Sequence, residues 1–350
     1  MTEETFYKQL ELGLKRLSEE ERKDIIRDFR EHFTSARAEG KTDEEIIEAL
    51  GPVDLLAEEL LEAYAEPINE TTVEMEPINV PKFIKVDIVS DSADLTIIPS
   101  KDEKPYIHVR DKDGKTVTKM DVINDTLKIR ISRENSFKKF FFFQINVNFS
   151  SDVHVIIQLP QQLYEQILIK NDNGKIQIAE QQAKTIGLET DNGKIILKSL
   201  LASKMKADTD NGRIEIEKSH FTQAVFSTDN GRIVAKNSKS EKFEFSTDNG
   251  RIELNDVVGE IHATTDNGRI EGYIPVITKP IVFKSDNGSI TLTTDEKIEN
   301  AALSVKSDFG RISVYGEKGK SFVFGEGNIP IRLKTDAGRI TVTTASLQEV

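Results

Sequence analysis

Two rhythms of apolar and polar residues divide the chain. Up to Tyr64 apolar positions recur at three- and four-residue spacing, beginning with Phe6, Leu10, Leu14 and Leu17, which lines one face of a helix. Ile25, Ile26, Phe29 and Phe33 make a second stripe, Ile46, Ile47 and Leu50 a third, and Val53, Leu56, Leu60 and Tyr64 a fourth. Ser18–Glu21 and Thr42–Glu45 read as capping boxes, in which a hydroxyl and a Glu three residues on each satisfy a free amide at a helix start. Gly40 and Gly51-Pro52 supply stops. The pattern predicts a small all-α bundle over 1–66. Glu-Pro-Ile-Asn then occurs twice, at 66–69 and 76–79, without periodicity, so 67–80 reads as a linker.

Beyond residue 81 the period changes to two. Phe243, Phe245 and Thr247 alternate with polar residues before a turn, as do Ile252 and Leu254 after it, which describes two short strands with one buried face. The turn itself recurs. Asp172, Asp191, Asp210, Asp229, Asp248, Asp266, Asp286, Asp308 and Asp336 are separated by 19, 19, 19, 19, 18, 20, 22 and 28 residues. Two residues after each stands Gly174, Gly193, Gly212, Gly231, Gly250, Gly268, Gly288, Gly310 or Gly338. Asn lies between in seven copies, Phe309 and Ala337 in the other two; Lys, Arg or Ser follows the Gly, then Ile in all nine. Gly and Asn suit a turn requiring positive φ.

Asn-Gly between alternating strands also fits antiparallel hairpins, but a fixed period favours coils stacked about 4.8 Å apart with identical turns in register. The expected fold is mainly β, a β-solenoid of about 19-residue repeats. Regular coils are expected over 166–350. Residues 81–165, with a degenerate turn at Ser90–Leu95, are expected to be its irregular start.

Composition removes several chemistries. The sequence has no Cys, so no thiolate nucleophile, disulfide or Cys-ligated zinc can be proposed. The net charge of -13 sits entirely in residues 1–80, which hold 9 basic and 22 acidic residues, while 81–350 hold 38 of each sign. Without a basic stripe, nucleic acid is not an expected partner. No export signal or apolar span of eighteen residues is legible. This points to the cytoplasm or the inner face of the membrane, with non-classical export to the surface as the alternative.

Rows of Asp and Asn oxygens raise the idea of a calcium site. The Gly-Gly-x-Gly-x-Asp nonapeptide of calcium β-rolls is missing, however, and the Arg or Lys three residues after the Asp in eight of the nine copies is placed to neutralise it. The ladder therefore reads as structural, with no metal or cofactor site. Its Asp residues are spread rather than clustered and each has a base nearby, unlike the raised acid of a glycosidase, so no enzyme is expected. The histidines show no metal spacing. Lys138, Lys139, Phe140, Phe141, Phe142 and Phe143 break the rhythm: four consecutive Phe face both sides of any strand. They are candidates for contact with a membrane surface or an amphipathic peptide, unless the strand is covered.

The stretch Asp28–Phe33, with Glu39–Ile47 and Leu50-Gly51-Pro52, resembles the helical signalling module HAAS. That resemblance implies a membrane or signalling protein as partner, with Phe29, His32 and Phe33 as candidate contacts. The iterated Asp-Asn-Gly-Arg-Ile resembles the bacterial adhesin-like β-solenoid family, a domain of unknown function. The order of head and solenoid is similar to that of YvlB- and LiaX-like proteins of Gram-positive bacteria. It implies a non-enzymatic scaffold near the cell envelope, active in envelope stress, or alternatively a surface-displayed adhesive or ligand-binding module.

Overall fold

The computed structural model describes residues 2–15, 42–54, 80–111, 116–133 and 153–345, together with positions 22, 25, 26, 29, 30, 33, 37, 56 and 57. The chain divides into two compact units, Met1–Glu74 and Met75–Val350.

In the first unit, helix Glu3–Gly13 is capped by Thr2, whose Oγ1 accepts from the Thr5 amide at 3.3 Å. Helix Asp43–Leu50 starts with the expected capping box: Thr42 N donates to Glu45 Oε2 at 2.8 Å, and Glu45 N to Thr42 Oγ1 at 3.3 Å. Gly51 closes it at φ +79°, a value few side chains tolerate. Ile25, Ile26, Phe29 and Phe33 are helical. Phe6, Leu10, Leu14, Ile25, Phe33 and Ile46 belong to one buried cluster, as the apolar stripes require. The Ser18–Glu21 box, Gly40, Leu60 and Tyr64, and all of the linker except Val80, lie outside the described residues.

The second unit is built from coils in which a long strand, the Asp-Asn-Gly turn and a short strand follow one another. Gln182–Thr190 and Ile195–Lys198 form one coil, and Leu201–Thr209 and Ile214–Glu217 the next. Pairing is parallel, so antiparallel hairpins do not build the repeat. Leu201 lies between Gln182 and His220, each 19 residues away. Burial alternates along each strand, and inward side chains fall into columns. The Phe226 and Phe245 rings, from successive coils, stack with centroids 5.5 Å apart. At the second corner of the coil, Glu180, Ser199, Lys218, Asn237 and Asp256 sit at φ between 49° and 53°, again 19 residues apart.

The stack does not follow chain order at either end. Ile329–Thr335 pairs in parallel with both Ile281–Ser285 and Ala301–Ser307, and Ile340–Thr344 with both Ile290–Thr294 and Ile312–Val314. The Asp336 coil therefore lies between the Asp286 and Asp308 coils. Lys85–Ser92 likewise lies between Thr126–Arg133 and Leu163–Asn173, and Asp94–Pro99 between Val153–Leu159 and Ile176–Ala179. Beyond these coils the direction reverses. Thr116–Ile123 and Tyr106–Asp111 pair antiparallel at one end, and Ser321–Phe324 at the other. Such strands cover the open edge of a parallel stack.

Candidate functional site

The turn ladder is the most regular feature of the surface and the first place to look for function. Its main chain is held from coil to coil: the Asp229 and Asn230 amides both donate to Asp210 O, at 3.1 and 2.9 Å, and the Asp248 and Asn249 amides to Asp229 O, at 3.1 and 2.9 Å. Its side chains are held too. From Asn192 to Asn287 each Asn Nδ2 donates to the Oδ1 of the Asn one coil before, at 2.8 Å in all six links. Three residues before eight of the nine Gly stands a hydroxyl, and before Gly174 stands Asn171. The Gly231 amide donates to Thr228 Oγ1 at 3.0 Å, and that hydroxyl donates to Gly212 O at 3.1 Å. The same relay runs through Thr209, Thr247, Thr265, Ser285, Thr335 and Ser307. These hydroxyls were legible as a Thr or Ser column in the repeat but carry a role that alternation alone does not suggest.

The glycines serve a different purpose from the one expected. Only Gly174 of the nine has positive φ, at +111°. At Gly193, Gly212, Gly231, Gly250, Gly268, Gly288, Gly338 and Gly310 a Cβ would instead lie 1.7–1.9 Å from the carbonyl oxygen of the neighbouring coil's Gly. Close approach of main chains selects Gly here. The left-handed residues are at the opposite corner, where no Gly is used.

Charges pair along the strands and between coils. The base after the Gly reaches forward along its strand or to a neighbouring coil: Arg213 to Glu215 at 3.2 Å, Arg251 to Glu253 at 2.8 Å, Lys194 to Glu215 at 2.9 Å and Arg232 to Glu253 at 3.6 Å. Cations also reach the ladder from two residues before the Asp, in Lys284–Asp286, Lys306–Asp308 and Lys334–Asp336, at 3.2, 3.3 and 3.0 Å. The Asp172 carboxyl is pushed above its ordinary range by burial and by Asp191 and Asp91, where a lowering by a nearby base was expected. Among the described residues no group of three His, Cys, Asp or Glu is arranged to hold a metal ion.

The other candidates separate. Lys138, Lys139 and Phe140 to Phe143 lie outside the described residues, as does His32. Phe33 is fully buried and packs on Phe6 at 5.5 Å, so it is core and not a contact surface; Phe29 is half-buried against the same ring at 5.8 Å. Leu12, which the stripes left unused, is exposed on the first helix. On the solenoid, depressions of about 200 and 270 Å³ share Leu163 in their lining. Phe309, in place of the ladder Asn at the outermost turn, is exposed.

Two family models match the chain. The family model described as Toastrack DUF4097 matches residues 83–235 and again 225–346, and the one described as HAAS matches 5–59. No curated protein matches the chain. Among solved structures, it is similar to a lipid-binding protein candidate of Parabacteroides distasonis, at 15% identity, covering 78% of this chain and 96% of that one, with a TM-score of 0.48. It is also similar to an adhesin candidate of Bacteroides fragilis, at 14% identity, 77% and 95% coverage and TM-score 0.39. A third, an adhesin candidate of Parabacteroides merdae, has 12% identity, 77% and 95% coverage and TM-score 0.43.

Proposed function

The chain belongs to the Toastrack DUF4097 family and carries a HAAS module ahead of the solenoid, and from that premise we propose that it is a non-catalytic interaction scaffold at the bacterial cell envelope. The helical module binds a membrane or signalling protein at the inner face of the membrane, and the solenoid is a rigid body whose regular surface is displayed. The observation that carries this reading is the ladder. Its Asn and Thr side chains, the groups best suited to hold a ligand, are engaged with neighbouring coils. A separate apolar core in the first unit supports a module with its own task.

The test is site-specific photo-crosslinking of the full chain in its own cells under envelope stress, with the probe at Leu12 or at Asn230. Expected is a discrete membrane or signalling protein joined to Leu12 and absent from Asn230. No product from Leu12, or recovery of the chain only outside the cell after fractionation, would overturn the proposal.

A further inference from the structure

Asn-Gly is the dipeptide most open to spontaneous loss of the side-chain amide, because Gly puts no side chain in the way of its own nitrogen. The chain has seven, at Asn173, Asn192, Asn211, Asn230, Asn249, Asn267 and Asn287. The reaction requires the Gly amide nitrogen to attack Asn Cγ. A nitrogen–carbon bond forms, the Cγ–Nδ2 bond breaks, and ammonia departs with the proton that the Gly nitrogen gives up. Water then opens the five-membered imide, at Cγ to give Asp or at the main-chain carbonyl to give isoaspartate. Nothing is oxidised or reduced.

Six of the seven are held against this step twice over. Their Nδ2 donates to the preceding Asn at 2.8 Å, which fixes the side chain pointing along the stack. The nitrogen that would attack donates to a buried hydroxyl: Gly193 to Thr190, Gly212 to Thr209, Gly231 to Thr228, Gly250 to Thr247, Gly268 to Thr265 and Gly288 to Ser285, at 2.8–3.2 Å.

Asn173 lacks both donations, its one ladder bond being that which its Oδ1 accepts from Asn192 Nδ2 at 2.8 Å. The residue aligned with it in the adjoining strand is Ser92, which offers no amide to continue the ladder. The hydroxyl position three residues before Gly174 is occupied by Asn171, whose Nδ2 donates to Ala93 O and Gly174 O while its Oδ1 is buried without a partner. Gly174 alone of the ladder glycines has positive φ, so its peptide is turned differently from the other eight. Asn173 is exposed to the water that the second step consumes.

We propose that Asn173 is the deamidation and isomerisation site of the folded protein, and that the ladder protects the other six. Conversion to Asp places a new carboxylate beside Asp172, at the end of the ladder where Asn192 still donates to it. Conversion to isoaspartate adds a methylene to the main chain between Leu163–Asn173 and Ile176–Ala179, in the coil on which the intercalated Lys85–Ser92 rests.

The full chain is incubated folded in mildly alkaline buffer, digested, and each Asn-Gly peptide is followed by mass spectrometry with fragmentation that separates Asp from isoaspartate. Asn173 is expected to convert roughly tenfold or more faster than any of the other six, since two hydrogen bonds must break at each of them. In denaturant the seven rates are expected to converge. Asn171→Thr, which restores the hydroxyl, is expected to slow Asn173. Folded-state conversion spread evenly over the seven sites, or fastest at a mid-ladder Asn, overturns the proposal. So does a tenfold preference for Asn173 that persists in denaturant, because local sequence and not the ladder would then set the rate.

Discussion

Gly231→Ala isolates the reason for the ladder glycines. Gly231 has no positive φ, so by backbone preference alone Ala should stabilise the fold by about 0.4–1 kcal/mol through the unfolded chain. The structure demands the opposite sign. The new Cβ would lie 1.8 Å from Gly212 O, 2.6 Å from Gly212 C and 2.7 Å from Thr228 Oγ1, where real contacts begin near 3.0 Å. The two coils must part by about 1 Å at this corner. Bonds that cross that gap include Thr228 Oγ1 to Gly212 O at 3.1 Å, Asn230 Nδ2 to Asn211 Oδ1 at 2.8 Å, and Asn230 N to Asp210 O at 2.9 Å. At about 1 kcal/mol each, with further cost for polar groups left buried, the loss is about 3–5 kcal/mol. Gly316→Ala is the control, because Gly316 sits at φ +86° with nothing within 4 Å and should lose only about 1–2 kcal/mol from strain. Urea unfolding gives the totals. Hydrogen exchange should place the Gly231 effect in the coils on either side, as nearest-neighbour coupling in a repeat protein requires. A Gly231→Ala protein within about 1 kcal/mol of its parent, with unchanged exchange, would refute the close-approach argument.

Four further outcomes follow from the same geometry. Thr228→Val keeps the shape but strands the Gly231 amide and Gly212 carbonyl, and should cost about 2–4 kcal/mol in urea unfolding, against under about 1 for Thr228→Ser. Asn230→Ala removes two links of 2.8 Å, but at an exposed site where water replaces them, so a loss of about 0.5–1.5 kcal/mol is expected. Lys218→Gly should gain about 0.5 kcal/mol, because relief of a left-handed φ of 49° outweighs the added freedom of Gly; a loss above about 1 kcal/mol would contradict it. Burial pushes the Glu215 carboxyl up, but Lys194 and Arg213 more than reverse this and hold it below the usual range. Its contribution is then complete above the unfolded value of about 4.3 and lost as pH falls through the folded value, and Glu215→Gln should flatten acid unfolding in that window.

The repeating coil was legible because one residue type recurs wherever the physics is repeated. Phe243, Phe245, Ile252 and Leu254 are buried as their alternation requires, and the 19-residue spacing is the parallel register itself. The HAAS capping box at Thr42 and Glu45 was equally readable. What escaped depends on partners distant in sequence. Glu180 and Lys218 carry no mark of a left-handed corner, since both are ordinary surface residues. Arg251 reaches Glu253 along its own strand, a partner that the Asp-Asn-Gly spacing did not single out. Gly231 suits a positive φ and a close approach equally well, so its type alone does not tell them apart. Phe33 lies on a predicted apolar stripe, which fits both core and contact surface until Phe6 is seen against it.

The intercalated coils bear on how the chain is made. A solenoid stacked in chain order can add each coil as it leaves the ribosome. Here Ala301–Ser307 emerges before the strand it must rest on, Ile329–Thr335, exists. The Asp308 segment has to wait, and closure of that end comes only when a later strand, Ile340–Thr344, enters the gap beneath it. Translation arrested after Phe324 should leave 301–324 open to protease, although every coil up to Asp286 is already built. The stretch made after Phe324 is thus the keystone of that end and not its overhang.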